Sequence, residues 1–388
     1  IKEIGDALWI GSSKGLHCLD FRKHLFKKYF IPGLSSDVFA ISGIHFERTE
    51  KEERMIWFEI PYLGAYRYDL LKQTVADIPK ALQVHTQGAA GVHTLFIDSK
   101  HHLWISSQRF GVSAYNLQQE VFRIKSTKSD DIPILLGIAE APDQTIWFTG
   151  GEGVWYVEPG QNSILEGKSI TKYLLENKLE TFTGSPNVDK MGRIWFVAGW
   201  GVRVNDAVVC FNPADGMIRH FDANTNKALS KIGHIEGITI STSGHCMVYG
   251  DNGFAFAQII EDQSITQPDF EFVKTDQYCY DVVEDSHHHF WLSLKTGIAM
   301  YDQRAQRMIN FSDHNTTVGE MRGPSITYSA ETNRLFIGQF DYLSVLDLNE
   351  SIIPLCGAPV LAELSIKEKN LDHLPVSGES IKLHHRQN

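Results

Sequence analysis

The sequence predicts an all-β protein built from repeated four-stranded units. In six places a tryptophan stands between two apolar residues, and these triplets recur along most of the chain. A glycine follows this landmark by six or seven positions in seven units, and an Asp or Asn preceded by an aromatic residue or leucine follows it by eleven or twelve in five. A period of 43 to 52 residues with short β-prone runs and polar turns is typical of β-propeller blades.

The landmark is Trp in six units and another large apolar residue in two. The eight landmarks are Trp9, Trp57, Trp104, Trp147, Trp195, Met247, Trp291 and Phe336. We expect each to pack between neighbouring blades, because any large apolar side chain can fill such a junction.

Unit 7 illustrates the predicted elements in order. A β-prone run, Tyr280–Val283, precedes a polar turn at Asp285–His289 and the landmark strand. After the glycine turn come a third strand, Ile298–Tyr301, and a fourth, Met308–Phe311. The pattern predicts hairpin turns between short strands and no amphipathic helix.

The number of blades depends on how the ring closes. Unit 1 starts at its landmark strand, and unit 8 has no clear fourth strand after Leu343–Leu346. Because a borrowed N-terminal strand would cover an exposed edge, we predict that Leu25–Phe30 completes the blade of Phe336. Residues 23–355 then form a seven-bladed propeller, and residues 1–22 are the tail of a preceding blade. An eight-bladed ring is the alternative.

The chain changes character after residue 355. Pro359–Ile366 and Glu379–Leu383 read as strands of another β-module, so residues 356–388 are expected to be the truncated start of a β-sandwich. Some 30 residues cannot bury a core of their own. The first residue, Ile1, is not an initiator methionine and no signal peptide follows it, so we expect a piece of a longer protein.

Composition excludes several classes of function. The 388 residues carry a net charge of −11, which argues against a nucleic-acid partner. No run of 18 apolar residues exists, so direct membrane insertion is not expected. The five cysteines follow no metal-ligand or redox spacing, and their apolar neighbours predict buried thiols.

The pattern D-x-x-G-x-[IL]-W-[IF]-x-[ST]-x-x-G-[LIV] resembles the two-component regulator propeller repeat. It reads DKMGRIWF at residues 189–196 and LWIGSSKGL at residues 8–16. The stretch from Pro359 resembles the β-sandwich module, named for its three tyrosines, that follows such propellers. This order is similar to the periplasmic sensor domains of hybrid two-component systems in Bacteroidetes. Units 2 and 6 depart from the pattern, unit 2 by the charged insertion Glu47–Arg54.

The resemblance implies the ectodomain of an inner-membrane histidine kinase that senses an oligosaccharide and controls polysaccharide-utilisation genes. It further implies a homodimer that contacts a preceding propeller and the following β-sandwich, and it implies no cofactor. The alternative is a propeller lyase or hydrolase similar to streptogramin lyase, in which a channel histidine with a carboxylate acts as base and metal partner.

The turns between second and third strands gather on one face and supply the candidate ligand-binding residues. Aromatic rings beside carboxylates, amides and basic groups suit a sugar, whose C–H face stacks on rings. The candidates are Tyr62, Arg109, Phe110, Glu152, Trp200, Asp251, Asn252, Lys295, Phe340, Asp341 and Tyr342.

Other polar residues receive a plainer interpretation. The run His287-His288-His289 is not predicted to bind a metal, because consecutive side chains of a hairpin cannot all converge on one ion. No catalytic triad or phosphate loop is evident. Polar residues of the first strands are expected to line a water-filled channel; they are His93, Glu140, His234, Glu236, Asp281 and Glu284.

Overall fold

A computed structural model describes most of the chain. The described residues are 2–4, 7–12, 15–20, 23, 25–29, 41–48, 54–60, 63–86, 92–107, 111–124, 135–151, 153–161, 168–202, 206–259, 268–311, 325–338, 343–349 and 363–364. They form eight antiparallel sheets of four strands each, and each sheet takes its strands from one continuous stretch of chain.

The strands of blades 1 to 4 follow one another along the chain. Blade 1 contains β1 (Lys2–Ile4), β2 (Ala7–Ser12), β3 (Gly15–Asp20) and β4 (Leu25–Tyr29). Blade 2 contains β5 (Ser42–Arg48), β6 (Arg54–Ile60), β7 (Gly64–Asp69) and β8 (Thr74–Ala76). Blade 3 contains β9 (Val92–Ile97), β10 (His102–Ser107), β11 (Gly111–Asn116) and β12 (Val121–Ile124). Blade 4 contains β13 (Leu135–Glu140), β14 (Ile146–Gly150), β15 (Gly153–Val157) and β16 (Lys168–Ser169).

Blades 5 to 8 repeat the arrangement. Blade 5 contains β17 (Asn187–Val188), β18 (Ile194–Ala198), β19 (Ala207–Asn212) and β20 (Met217–Asp222). Blade 6 contains β21 (Ile235–Ile240), β22 (His245–Gly250), β23 (Gly253–Gln258) and β24 (Glu271–Lys274). Blade 7 contains β25 (Cys279–Glu284), β26 (His289–Leu294), β27 (Gly297–Asp302) and β28 (Arg307–Asn310). Blade 8 contains β29 (Ser325–Ser329), β30 (Arg334–Gly338), β31 (Leu343–Asp347) and β32 (Glu363–Leu364).

In the described part of the chain, three short helices, which the sequence analysis did not predict, lie in connections between blades. They are α1 (Lys80–Thr86), α2 (Thr171–Glu176) and α3 (Leu229–Ile232). Each buries a leucine, so each helix covers part of a blade edge: Leu82, Leu174 and Leu229. Among the described residues, no helix is both long enough and apolar enough to cross a bilayer.

The described residues form eight apolar clusters that hold the ring together, one at each junction between blades. The landmark of each second strand is buried in the cluster shared with the following blade, as Trp57 is with Leu103 and Ile105 of blade 3. Its flanking residues face the preceding blade, as Ile56 and Phe58 do in the cluster that contains Trp9. Strand pleating explains the triplet, because alternate side chains point to opposite faces of a sheet.

The ring closes between blades 8 and 1. Phe336 of β30 is buried in one cluster with Leu8, Ile10 and Leu19 of blade 1. The predicted propeller fold is confirmed, and the ring has eight blades, the stated alternative, rather than seven.

The prediction for Leu25–Phe30 is wrong. β4 pairs with β3 through Leu19 and Phe26, so it completes the blade of Trp9 rather than that of Phe336. The boundary placed at residue 22 therefore falls inside blade 1. The short strand β1 supplies the inner strand that the sequence did not reveal.

Blade 8 obtains its fourth strand from the stretch assigned to the β-sandwich. Within Pro359–Ile366, the described residues Glu363 and Leu364 pair with β31. The sandwich over residues 356–388 stays a prediction, because the rest of that stretch lies outside the described residues. The predicted buried thiols are confirmed for four cysteines, Cys18, Cys210, Cys246 and Cys279, and Cys356 lies outside the described residues.

Candidate functional site

The two faces of the ring carry different turns. The glycine face carries the turns that end in Gly153, Gly253 and Gly297, together with the connections between blades. The aspartate face carries the turns between first and second strands, which begin at Asp98, Asp189 and Asp285 in blades 3, 5 and 7. First strands of neighbouring blades contact one another around the central channel.

Several first strands carry a β-bulge near the glycine face. In blades 3, 6 and 7 the ladder to the second strand skips one residue: His93, Glu236 or Tyr280. Each of these three residues is half-buried. A bulge leaves one residue unpaired and re-aims its side chain, and bulges are enriched beside functional sites. The repeated bulge therefore presents a histidine, a carboxylate and a tyrosine at one level of the channel.

A histidine–carboxylate pair links blades 5 and 6 at this level. His234 Nδ1 lies 2.5 Å from Oδ2 of Asp206, which also accepts the Ile235 N–H at 2.8 Å. Asp251 Oδ2 accepts the His234 backbone N–H at 3.3 Å. Within the described part of the chain, Oδ1 of Asp206 is buried and has no hydrogen-bond partner. The contact between Nδ1 and Asp206 thus fixes the imidazole of His234. The other ring nitrogen, Nε2, lies 4.0 Å from Oε2 of Glu236.

Two tyrosines continue the site into blade 7. The Tyr278 hydroxyl donates a hydrogen bond to Oε2 of Glu236. The rings of Tyr278 and Tyr280 lie 4.6 Å apart and are inclined by 51°. Together with His234 and Asp206, these residues bring carboxylates, an imidazole and aromatic surface to one end of the channel. We call His234, Asp206, Glu236, Tyr278 and Tyr280 the channel cluster.

Trp200 lies in the turn of blade 5 on the same face. Its ring stacks on Phe182 at a centroid distance of 6.0 Å with 15° between the planes. It is half-buried, sits over Gly184 and packs against the apolar cluster between blades 5 and 6. Trp200 therefore contributes to packing at the junction between blades 5 and 6, although part of its ring remains exposed.

The other described candidates lie beside the channel cluster, where backbone hydrogen bonds hold them. Asn252 donates its N–H to Ile232 O at 2.9 Å, and Lys295 donates its N–H to Tyr278 O at 3.1 Å. Both side chains are exposed, whereas Asp251 is half-buried. The structure thus brings Asp251, Asn252 and Lys295 to blades 6 and 7 beside the cluster. Seven candidates lie outside the described residues: Tyr62, Arg109, Phe110, Glu152, Phe340, Asp341 and Tyr342.

The six predicted channel residues do not form one group. His93, His234 and Glu236 lie towards the glycine face, whereas Glu140 and Glu284 end their strands at the aspartate face. Glu140 accepts hydrogen bonds from the N–H and hydroxyl of Ser99 in the preceding blade, at 2.8 and 2.5 Å. A cavity of about 580 Å³ adjoins this contact and is lined by the first turns of blades 3 to 6.

Two of these carboxyls have shifted pKa values. Burial raises the pKa of Asp281 to about 6, although the backbone N–H groups of Ile326 and Val282 donate to it at 3.2 and 2.9 Å. Burial also acts to raise the pKa of Glu284, but hydrogen bonds from His245, serine hydroxyls and His288 outweigh it and lower the pKa to about 2.

The sequence analysis did not single out Asp206, Tyr278, Tyr280 or Phe182. Tyr278 and Tyr280 alternate along the sequence at the start of the first strand of blade 7, which is a signal that could have identified them. Asp206 and Phe182 carry no such signal, because their partners come from elsewhere in the chain.

A curated relative matches part of this chain. Over 113 residues, 28% of the chain, the sequence is 34% identical to histidine kinase P4 of Formosa agariphila. This match confirms the resemblance to histidine kinases of two-component systems that the sequence predicts. The match spans 8% of that kinase's length. No protein-family model matches the chain.

Solved structures resemble this chain at low sequence identity. The extracellular domain of a hybrid two-component system from B. thetaiotaomicron is 16% identical, with a TM-score of 0.48 over 97% of this chain and 66% of that one. The Dos1 propeller is 11% identical, with a TM-score of 0.54 over 80% of this chain and 83% of that one. The second likeness supports the propeller fold alone.

Proposed function

We propose that this chain is the extracytoplasmic sensor region of a hybrid two-component histidine kinase and that it binds an oligosaccharide without transforming it. The observation that carries the proposal is the channel cluster, where the carboxylates of Asp206 and Glu236 lie beside His234 and two tyrosines. The kinase relative and the hybrid-system resemblance support the sensor role.

The chemistry of the cluster suits a sugar. Carboxylate and imidazole groups that are already fixed by hydrogen bonds can bind hydroxyls with little loss of side-chain entropy. The ring faces of Tyr280 and of the exposed part of Trp200 offer apolar surface for the C–H face of a pyranose.

Calorimetry with a panel of plant and host oligosaccharides tests the binding proposal. Glu236→Gln and Tyr280→Ala should each weaken binding of a positive glycan by tenfold or more. Glu140→Gln is the matched control, since Glu140 lies at the opposite end of a first strand. Equal losses in all three variants, or no glycan binding by the sensor region of the full-length receptor, would contradict the proposal.

One observation favours a second candidate function. A histidine held by a carboxylate, as His234 is by Asp206, is an arrangement used for general-base catalysis, and a lyase or hydrolase would need it. Product analysis after incubation with glycans and lactones decides between the two. Turnover of a glycan or lactone that is lost in His234→Ala would show that the protein is an enzyme. It would refute the proposal that the chain binds its ligand without transforming it.

Signal transfer to the rest of the receptor is a further part of the proposal. We place the propeller in a homodimer, next to a preceding propeller and a following β-sandwich, in the periplasm. Ligand binding alters output only through different affinities for two arrangements of such a dimer. Ile353-Pro354-Leu355 and Ala358-Pro359 favour a stiff connector, since each proline fixes φ. Inserting about six Gly/Ser residues after Gly357 should abolish induced transcription and leave glycan binding intact.

A further inference from the structure

Two histidines and a glutamate converge at the aspartate face between blades 6 and 7. His245 Nδ1 lies 2.9 Å from Oε2 of Glu284, and His288 Nδ1 lies 2.6 Å from its Oε1. One ligand atom from each residue lies within 4.8 Å of the other two. We call His245, Glu284 and His288 the junction triad.

Local structure explains how the triad forms. Glu284 ends β25 and His245 begins β22 of the preceding blade. His288 occupies the fourth position of the blade 7 turn with φ of 66°, the left-handed position that Gly192 fills in blade 5. This turn conformation carries the His288 side chain back onto Glu284, four residues earlier.

His287 and His289, on either side of His288, contact other groups. His289 Nδ1 lies 3.1 Å from Oδ2 of Asp285, and the His287 ring stacks on that of His289 at 6.0 Å. The three consecutive histidines therefore do not converge on one point. The second histidine of the triad comes instead from blade 6.

The donor set matches the ligands of zinc. Imidazole nitrogens bind Zn²⁺ at about 2.0–2.1 Å and carboxylate oxygens at about 2.0–2.2 Å, usually in a tetrahedron. Ligand atoms in such a tetrahedron are about 3.3 Å apart by this geometry. The two contacts to Glu284 must therefore open by less than about 1 Å, and a pair of ligand atoms at the 4.8 Å limit must close by about 1.5 Å. The His288 side chain is 48% exposed and can make this adjustment, whereas Glu284 and His245 are held in the junction.

We propose that His245, Glu284 and His288 form a zinc site that joins blades 6 and 7. Each imidazole would bind through Nδ1 with its proton on Nε2, so two neutral histidines and one carboxylate leave one positive charge on the site. Water completes the tetrahedron on the side where His288 is exposed. Because the ligands come from two blades, the ion would brace the junction on the face opposite the channel cluster.

The test uses the tag-free protein, Zn²⁺ as the ligand and Co²⁺ as a spectroscopic probe. Calorimetry should show one high-affinity Zn²⁺ per chain, thermal unfolding should shift upward, and Co²⁺ should give the intense visible absorption of a tetrahedral site. His288→Ala and Glu284→Gln should each weaken Zn²⁺ binding at least tenfold. His287→Ala is the matched control, because His287 is an exposed histidine of the same turn outside the triad, and it should bind as the unaltered protein does.

Three outcomes would overturn the proposal. The first is no Zn²⁺ binding by the folded protein, the second is equal loss in His287→Ala and His288→Ala, and the third is full affinity in His288→Ala. Far-ultraviolet circular dichroism of each variant confirms that it remains folded. Oligosaccharide affinity is measured in parallel, so failure of the zinc site and failure of the sensor proposal give different results.

Discussion

The indole Nε1 of Trp195 donates a hydrogen bond of 2.8 Å to Oδ2 of Asp189, six residues earlier. Trp104 with Asp98 and Trp291 with Asp285 repeat this contact at the same spacing and distance. The other oxygen of each aspartate accepts two backbone N–H groups of the turn.

The contact explains the first half of the repeat motif. The aspartate closes the turn and satisfies the indole that the blade junction buries, and Gly192 takes the left-handed conformation, φ 78°, that the turn requires. In blade 2 a different carboxylate satisfies the buried indole, because Nε1 of Trp57 donates a hydrogen bond to Oε2 of Glu47 at 2.6 Å.

The first prediction concerns Asp189, which is buried and also binds the Arg193 guanidinium at 2.6 Å. Asp189→Ala should lower the free energy of unfolding by about 3–5 kcal/mol, because it removes the Asp189 carboxylate that a buried guanidinium and a buried indole both contact. Denaturant unfolding measures the change. Asp143→Ala, in the exposed part of the blade 4 turn, is the control and should cost less than about 1 kcal/mol. Similar costs for both variants would refute this role of Asp189.

The second prediction concerns blade 4, where Ala141 stands in place of the aspartate. The turn keeps the same backbone hydrogen bonds, but Nε1 of Trp147 is buried and has no partner among the described residues. Ala141→Asp should raise the free energy of unfolding by about 1 kcal/mol, since the new carboxylate supplies the missing acceptor. The gain should vanish in a Trp147→Phe background. An equal gain in both backgrounds would show that the indole is not involved.

The third prediction tests ring closure at Phe336. Phe336→Ala should cost about 3–5 kcal/mol, and a double-mutant cycle with Leu8→Ala should give a coupling of about 0.5–3 kcal/mol. Thermal and denaturant unfolding provide the four values. Leu71→Ala, at an exposed leucine of blade 2, is the control and should show no coupling to Phe336. Zero coupling between Phe336 and Leu8 would contradict an eight-bladed ring.

The fourth prediction is a pH dependence at Asp281. The folded pKa of about 6 lies above the ordinary value of 3.8, so the folded state binds the proton more tightly than the unfolded state. The contribution of Asp281 to stability is therefore fully present below about pH 3.8 and is lost as the pH rises through 6. Relative to Asp281→Asn, the protein should lose about 1–3 kcal/mol of stability between pH 4 and pH 7. A difference that does not vary with pH would contradict the raised pKa.

Much of the fold follows from local sequence patterns. The triplets around Trp57 and Trp195 set the pleat of each second strand, because the middle residue and its neighbours must face opposite sides of the sheet. The period of the landmarks then determines a ring of blades. Of the site, the sequence located Trp200, Asp251 and the polar residues of the first strands.

Tertiary structure alone decided the blade count and the contacts within the two candidate sites. β1 has three residues and β32 has two, and strands this short leave no periodic signal, so only their pairing with β2 and β31 reveals an eighth complete blade. His234 meets Asp206, and His288 meets His245, because neighbouring blades place distant segments side by side. A repeat determines the shape of each blade, but contacts across a junction depend on how far each blade turns relative to the next, and no single unit of the sequence encodes that angle.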